Sequence, residues 1–599
     1  MHVSRPILWI SPVVDIGFFL AVAFLVWVFA KILPRFSAYR VLVFLLVFLT
    51  AYDWLMATGH FYRSAALVFG VGAAVAFDRW RTRREPAWTL ALKRSAPLLL
   101  GFLAVVFLAV QGGAWLNERR QIAKLPQASP GSPNVLVIVV DTLRADHLSS
   151  YGYSRSTSPT IDRLASEGVV FQNAIAPSSW SLPSHASLVT GRPVHEHGFG
   201  NVQPMPWLGW GKQGLNGVRT LAEAFENEGY RTGAFSANRI YFTSNVGLGR
   251  GFIHFEDYFD SIGDAFVRTQ FGREFARLYM NRSEKSGFTR AFRRLGLGDW
   301  LDKDSEGSGD TGGIFGIRKR AREVNRETLA WAARDRRHPF FAFLNYLDVH
   351  FAYGGPRGDP KPEWDRGSTV DEYDAGIQYT DRSIGELLGG LDRLGVLANT
   401  IVVITSDHGE SLGDHGLSFH GAALYWELVH VPLVLACPGR IPAGIRVFQP
   451  VANAQIAKTV MELSGARENP FPGISLVSAW RTNPNEPGGW PPVVSELPET
   501  NTIAPADRAM QGRIPTAYDG WMQSVITPEW QWITHEKRGD QIYRWSLDPG
   551  ETRDLSRTPE GRAAIGDLER QSARYQKVSG AGSNQAGSEN ALGRTARIP

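Results

Sequence analysis

Three apolar runs that lie far apart in the chain each lead into polar residues. The runs start at Val135, Phe340 and Thr400 and lead, respectively, into Asp141, into Asp348 and His350, and into Asp407–His408. Short runs rich in β-branched and aromatic residues are typical of strands buried on both faces of a parallel sheet. A predicted helix at 217–229 followed by a strand at 231–237 continues the alternation of strands and helices. The pattern predicts a doubly wound α/β sheet with its polar residues at the carboxyl edge, where ligands bind.

A serine-rich segment, Ser178 to His185, follows the first of these strands and leads into a predicted helix. A helix start that carries hydroxyl groups favours anions, because its free N–H groups and dipole point toward the ligand. Asp141 and Ser181 together are suited to hold a metal ion beside a tetrahedral anion. Spacing alone leaves two simpler interpretations open, in which Asp141 caps a loop and Ser181 caps the helix.

The third run leads into the segment 406–410, in which Asp407 and His408 stand side by side. Of the three runs, this one gives the most specific indication of a metal site. The two residues offer an oxygen ligand and an imidazole ligand for a divalent cation. Gly409 permits the backbone to turn closely beneath them, because it has no Cβ atom. The sequence therefore predicts a cation site at the end of this strand.

Several segments around these residues match one known family. They are Tyr151–Gly152–Tyr153, Ser158–Ala165, Pro183–Ser184 and Thr190–Gly191–Arg192. With them, the chain after about residue 134 resembles the sulfatase family of the alkaline-phosphatase superfamily. The resemblance implies an α/β fold with an alkaline-phosphatase-like, doubly wound and mostly parallel sheet, in a catalytic domain at 134–490. It also implies a small C-terminal antiparallel subdomain at 491–578.

The resemblance assigns roles to six residues of this chain. It implies that one divalent metal ion (Ca, Mn, Mg or Zn) is held by Asp141, Ser181, Asp407 and His408. Its catalytic residues are the nucleophile Ser181 and two histidines, His350 and His420, of which His420 stands where many sulfatases carry a lysine. A metal-bound serine is activated as an alkoxide, and the histidines steady the anion or protonate the leaving group. A second cation near Asp348, His350 and His420 is an alternative.

Two positions depart from the sulfatase pattern. His185 stands where sulfatases that convert a Cys or Ser to formylglycine carry an Arg, which argues against conversion of Ser181. Thr142 replaces the second of the paired Asp residues after the first strand. The remaining set is similar to the phosphoethanolamine and glycerol-phosphate transferases of the same superfamily, which use an unmodified hydroxyl nucleophile. Sulfate and phosphate esters, and hydrolysis and transfer, therefore stay open.

The first 116 residues contain four apolar runs, at 16–33, 41–58, 64–77 and 96–116. Runs of about 18 to 20 residues can cross a bilayer, and for the shorter third run a buried soluble helix is the alternative. We therefore expect a membrane anchor of about four transmembrane helices at 1–118, a linker at 119–133 and a multi-pass protein of the cell (inner) membrane. Lys and Arg concentrate after the first and third runs, which predicts an extracytoplasmic or periplasmic catalytic domain.

Composition limits the remaining classes of function. The formal charge of +5 comes largely from the loops between the apolar runs, and Lys/Arg stripes interleaved with aromatic residues are not evident, so we expect no nucleic-acid partner. The single cysteine, Cys437, excludes an internal disulfide and a thiolate metal cluster.

The tail at 579–599 is predicted to be disordered. An insertion at 262–318 is expected near the mouth of the site.

The sequence thus predicts a membrane-anchored, metal-dependent hydrolase of sulfuric or phosphoric esters that acts outside the cytoplasm through a serine nucleophile. Its expected partners are a sulfate or phosphate ester, with a glycan or a lipid head group as the carrier, and the lipid bilayer. One alternative is a phosphotransferase or phosphodiesterase with unmodified Ser181. A second is a non-catalytic membrane protein that binds a glycan or lipid.

Overall fold

The structure, a computed structural model, describes residues 38–57, 63–199, 217–238, 241–244, 247–257, 319–351, 353–356, 358–481, 490–499 and 514–580, and six single positions between 20 and 31. The chain divides into two compact units, one of residues 1–124 and 258–319 and the other of residues 125–257 and 320–599. The predicted insertion at 262–318, nearly all of the predicted tail and most of the first apolar run lie outside the described residues.

In the part of the first unit that the structure describes, the helices with defined bounds are α1 (Ala38–Ala57), α2 (Arg63–Thr82) and α3 (Glu85–Ala123). None of the described helices combines the length and the apolar character that crossing a membrane requires. The predicted multi-pass membrane localisation is therefore wrong, and the predicted transmembrane helices are not found among the described residues. Charged side chains lie beside the apolar runs within the same described helices. Asp78 of α2, for example, accepts from Arg40 of α1 and from Arg81, each at 2.8 Å.

The described part of the second unit is built on a nine-stranded sheet. Its strands are β1 (Asn134–Val140), β2 (Val169–Ile175), β3 (Arg231–Ser236), β4 (His254–Glu256), β5 (Phe340–Tyr346), β6 (Thr400–Thr405), β9 (His430–Ala436), β10 (Ile445–Val447) and β11 (Val451–Ala452). Their spatial order is β10–β2–β9–β6–β1–β5–β3–β4, with β11 pairing with β2. Strand β9 is antiparallel to both of its neighbours, and the other pairs are parallel. The mostly parallel sheet that the sequence predicted is thus confirmed. A small separate hairpin joins β7 (Ser411–Leu412) and β8 (Ser418–Phe419).

Both faces of the large sheet are covered. Successive residues of β1 point to opposite faces, so Val135, Val137 and Val139 join one apolar cluster while Leu136 and Ile138 join another. This explains why the strand is continuously apolar rather than alternating. The covering helices and the other helices of this unit are α4 (Pro159–Ser166), α5 (Ser181–Thr190), α6 (Val194–His197), α7 (Leu221–Asn227), α8 (Ala321–Ala333), α9 (Thr369–Arg393), α10 (Trp426–Val429), α11 (Ile456–Ser464), α12 (Ser478–Arg481) and α13 (Pro559–Gly580).

A second sheet confirms the predicted C-terminal antiparallel subdomain. Its four strands, β12 (Val493–Leu497), β13 (Met522–Ile526), β14 (Gln531–His535) and β15 (Gly539–Tyr543), pair in sequence order. Their apolar residues form a joint cluster with the segment 417–429, which follows β6 in the chain. The subdomain therefore packs against the loops that leave the carboxyl edge of the large sheet.

Candidate functional site

The carboxyl edge of the large sheet brings together the polar residues that the sequence singled out. Strands β1 and β6 are parallel neighbours, with Val139 opposite Thr405, so the residues that follow them emerge side by side. Asp141 follows β1, and Asp407 and His408 follow β6. All three side chains are completely buried. Ser181 joins them from the first residue of helix α5.

Ser181 does not cap its helix. The N-cap is Trp180, and the Ser181 hydroxyl lies 3.0 Å from Nε2 of His408. The other ring nitrogen of His408, Nδ1, lies 2.9 Å from the carbonyl oxygen of Gly409, which can only accept. Nδ1 therefore carries the proton, and the lone pair of Nε2 faces the Ser181 hydroxyl.

The two carboxylates beside this pair each present one oxygen that accepts no hydrogen bond. Oδ1 of Asp141 and Oδ2 of Asp407 are buried without a hydrogen bond. These two residues and His408 offer ligand atoms that all lie within 4.8 Å of one another. A buried, unpaired carboxylate oxygen is costly, and a cation would satisfy it. The residues therefore fit a single divalent cation with oxygen and imidazole ligands.

The remaining carboxylate oxygens are held by donors of the protein. Asn238 donates from Nδ2 to Oδ2 of Asp141 at 2.9 Å. The backbone N–H groups of His408 and Thr142 donate to Oδ1 of Asp407 at 3.0 and 3.3 Å. Each carboxylate thus keeps one oxygen bound to the protein and one directed to the cluster.

Electrostatics keep Asp141 ionised. Burial alone raises the pKa of a carboxyl group, but nearby imidazoles, led by His350 and His408, outweigh that effect and lower the pKa of Asp141 below its usual value. The carboxylate is therefore available as a ligand at neutral pH.

His350 and His420, the two predicted anion-binding histidines, stand beside the cluster. The ring of His420 lies 4.4 Å from that of His408 and 5.0 Å from that of His350, measured between centroids. Nδ1 of His420 is 2.9 Å from Oε1 of Glu410. Burial lowers the pKa of His420, although Asp141 and Asp407 oppose the shift. The structure thus brings all six predicted residues together.

Asp348 is engaged elsewhere. Its carboxylate accepts from the backbone N–H of Ala321 at 2.8 Å, at the start of helix α8, and from Arg320 at 3.2 Å. Within the described part of the chain, no cluster of possible metal ligands includes Asp348. The alternative of a second cation at Asp348, His350 and His420 is therefore not supported.

Three residues of the site were missed by the sequence analysis, namely Glu410, Asn238 and Asn345, and His185 was singled out there only as a departure from the sulfatase pattern. Burial raises the pKa of Glu410 to about 7, against the effect of His350 and His408. A signal existed for Glu410, because it follows the predicted ligands directly, and for Asn345, a polar residue inside an apolar strand. No local pattern marks Asn238 as a partner of Asp141.

A second group of possible ligands lies outside this cluster, where the C-terminal part of the chain meets the segment after β6. Ligand atoms of His415, Glu427 and Glu551 lie within 4.8 Å of one another. Glu551 accepts from the backbone N–H of Trp426 at 2.7 Å, and His415 lies 3.2 Å from Glu427. The ring of His415 stacks on Tyr425 at 3.8 Å. These contacts tie the C-terminal part of the chain to the segment after β6.

Comparisons with known proteins identify the family and the fold of the chain. The sequence model of the sulfatase family matches residues 133–466. An N-acetylglucosamine-6-O-sulfatase of Bacteroides thetaiotaomicron is 24% identical over 60% of this chain and 72% of its own length. A steryl-sulfatase of Rattus norvegicus is 27% identical over 58% of this chain and 69% of its own. The solved phosphonate monoester hydrolase of Agrobacterium radiobacter, 19% identical, covers 74% of this chain and 96% of its own with a TM-score of 0.53, which shows a shared fold.

Proposed function

The chain belongs to the sulfatase family of ester hydrolases, and from this premise we propose that it cleaves its ester with Ser181 as nucleophile and one divalent cation as cofactor. The first candidate substrate is a sulfuric ester. Asp141, Asp407 and His408, with the Ser181 hydroxyl, are the proposed ligands. Family membership argues against the non-catalytic alternative.

One observation supports this proposal above the others. The Ser181 hydroxyl lies 3.0 Å from a bare imidazole nitrogen, next to two buried carboxylate oxygens that lack a hydrogen bond. A merely structural cluster would satisfy those oxygens with donors of the protein. A cation bound there would stabilise the serine alkoxide and withdraw charge from an ester oxygen.

The protein's own groups then have separate tasks. Helix α5 holds the Ser181 hydroxyl at the cluster, where its oxygen can attack sulfur or phosphorus in line with the leaving group. His350 and His420 contact the oxygens of the anion. Because Nδ1 of His420 is bonded to Glu410, its Nε2 is the atom left for the substrate. Transfer of a proton to the leaving oxygen by this pair would assist cleavage of its bond to sulfur or phosphorus, and water or an acceptor alcohol would then displace the Ser181 oxygen and release the product.

A phosphoric ester is the second candidate substrate, and His185 is the observation that favours it. The imidazole of His185 occupies the position of the Arg that accompanies formylglycine, and it is buried against the Ser181 carbonyl. An unmodified hydroxyl nucleophile suits phosphoryl transfer to water or to an alcohol. The two candidates differ in the group transferred and share the same residues.

Turnover of an aryl sulfate and of an aryl phosphodiester by the full chain tests both candidates. The assays contain Mn, Ca, Mg or Zn, or a chelator, and compare the native chain with Ser181→Ala and Ser187→Ala. Ser187 is a buried serine of the same helix whose hydroxyl contacts His197 instead of the cluster. We expect chelation and Ser181→Ala to abolish turnover and Ser187→Ala to retain it.

Mass spectrometry of the peptide that contains Ser181 separates the two chemistries. Sulfate turnover with an unmodified Ser181 would establish a serine sulfatase, and a formylglycine would show that His185 does not prevent conversion. Preference for the phosphodiester would establish the second candidate. Undiminished turnover by Ser181→Ala, or by chelated protein, would refute the proposed mechanism.

A further inference from the structure

His185 belongs to helix α5, four residues after Ser181, and its completely buried side chain contacts three groups of the site. Its Nδ1 is 2.8 Å from the carbonyl oxygen of Ser181 and 3.4 Å from Oδ2 of Asp407. Its Nε2 is 3.2 Å from Nδ2 of Asn345, on strand β5. These contacts determine which ring nitrogen carries a proton.

The amide of Asn345 is oriented by a backbone group. The N–H of Asn238 donates to Oδ1 of Asn345 at 2.9 Å, so the NH₂ end of the amide faces His185. An NH₂ group can only donate, and Nε2 of His185 must therefore accept. A proton on Nε2 would set two buried donors against each other. The proton consequently resides on Nδ1, which donates to the Ser181 carbonyl.

Asn238 extends this arrangement to the opposite side of the cluster. Its own Oδ1 accepts from the N–H of Tyr241 at 2.9 Å, which directs its Nδ2 to Asp141, where it donates at 2.9 Å. A series of hydrogen bonds therefore connects the two sides of the site. Asn238 donates to Asp141 from its side chain and to Asn345 from its backbone, Asn345 donates to His185, and His185 donates to the backbone of Ser181.

We propose that His185 is a neutral positioning residue, held as the Nδ1–H tautomer by Asn345, that sets the Ser181 hydroxyl against His408. The inference rests on the proposed role of Ser181. An arginine at this position would bring a permanent charge against Asp407. The neutral imidazole instead supplies one hydrogen bond and leaves Asp407 free to balance a cation. The series also couples the two sides of the site, because a shift of Asn345 moves the serine relative to Asp141.

The first test determines the tautomer in the full chain labelled with ¹⁵N-histidine. The signal of His185, assigned by its loss in His185→Asn, is expected to show a protonated Nδ1 and a bare Nε2. Asn345→Asp replaces the donor by a carboxylate that accepts, so the proton should appear on Nε2. Asn325→Asp, a buried replacement on helix α8 outside the site, should leave the His185 signal unchanged. An Nε2–H tautomer or an imidazolium in the native chain would overturn the proposal.

The second test measures kcat and KM with the aryl ester that the native chain turns over best. His185→Leu removes the donor, and we expect kcat to fall about tenfold or more with little change in KM, as for the loss of one positioning hydrogen bond. His185→Asn keeps a donor near the place of Nδ1 and should restore most of kcat. Thermal unfolding verifies that each variant is folded. Native kcat in a folded His185→Leu chain would overturn the positioning role.

The two tests separate this inference from the proposed function. The tautomer is measured without substrate, so it decides the hydrogen-bond direction even if Ser181→Ala proves active. Should Ser181→Ala retain turnover while His185 shows the Nδ1–H tautomer, the proposed nucleophile fails and only the hydrogen-bond assignment stands.

Discussion

Gly409 is the point at which a single methyl group should disturb the site most. A Cβ atom added there would lie 1.9 Å from the carbonyl oxygen of Glu427. Ordinary carbon–oxygen contacts are about 3.3 Å or longer, so the two backbone segments would have to separate by more than about 1 Å. The N–H of Gly409 also donates to Leu428 at 2.9 Å, which opposes that movement.

Because Gly409 adjoins His408, the strain should move the imidazole away from the Ser181 hydroxyl, now at 3.0 Å. A displacement of about 1 Å at reacting groups can cost on the order of 100-fold in rate, and overpacking costs about 1 to 3 kcal/mol of unfolding free energy. We therefore expect Gly409→Ala to lose about 100-fold in kcat/KM toward the aryl ester and to unfold at a lower temperature than the native chain.

Gly389→Ala is the matched control. A Cβ atom there meets only the end of the Arg393 side chain, at 3.5 Å, within helix α9. Alanine in a helix interior is favoured over glycine by about 1 kcal/mol, so this variant should unfold no earlier than the native chain. If Gly409→Ala kept native turnover and stability, the close backbone approach would not position His408 and the reasoning would be refuted.

Three further predictions concern residues that the tertiary structure engages. Burial raises the pKa of Asp381 to about 6 despite its two backbone hydrogen bonds. The folded chain therefore binds the proton of this carboxyl group more tightly than the unfolded chain, and the resulting stabilisation is present below pH 3.8 and is lost as the pH rises through about 6. As the pH rises across that window, the unfolding free energy measured in urea should fall by up to about 3 kcal/mol more for the native chain than for Asp381→Asn. A difference between the two chains that does not change with pH would contradict this. Glu551→Ala leaves the N–H of Trp426 unpaired and should cost about 1 to 3 kcal/mol in the same assay, whereas Glu551→Gln, which keeps an acceptor, should cost less. Asp348→Asn should destabilise the chain without changing the cation stoichiometry measured by elemental analysis; a lost cation would place Asp348 in the site.

Much of the fold follows from local pattern. The strand predicted at 400–405 is the observed β6, and the apolar run after Val135 is β1. Both are continuously apolar because both faces of the sheet are covered, so the pattern and the burial have one cause. Helix α5 begins earlier than its apolar residues suggested, since Ser181 and its neighbours form the first turn although their side chains are polar.

The wrong prediction of a membrane localisation rested on hydropathy along the chain alone. A count of apolar residues registers composition along the chain, whereas the carboxylate of Asp78 pairs with Arg81 of its own helix and with Arg40 of the neighbouring helix. A hydropathy average along the chain carries no information about such pairing between residues of different helices.

The sequence by itself determined the strands, their polar ends and the identity of the family, because these depend on residues that are neighbours in the chain. Only the tertiary structure decided that Asp348 binds Arg320 and the start of helix α8, and that Asn345 directs the proton of His185 toward Ser181. The physical reason is that a hydrogen bond has a direction. Which atom donates to His185 depends on Asn345 and Asn238, and their positions relative to Ser181 exist only once the sheet and helix α5 have packed together.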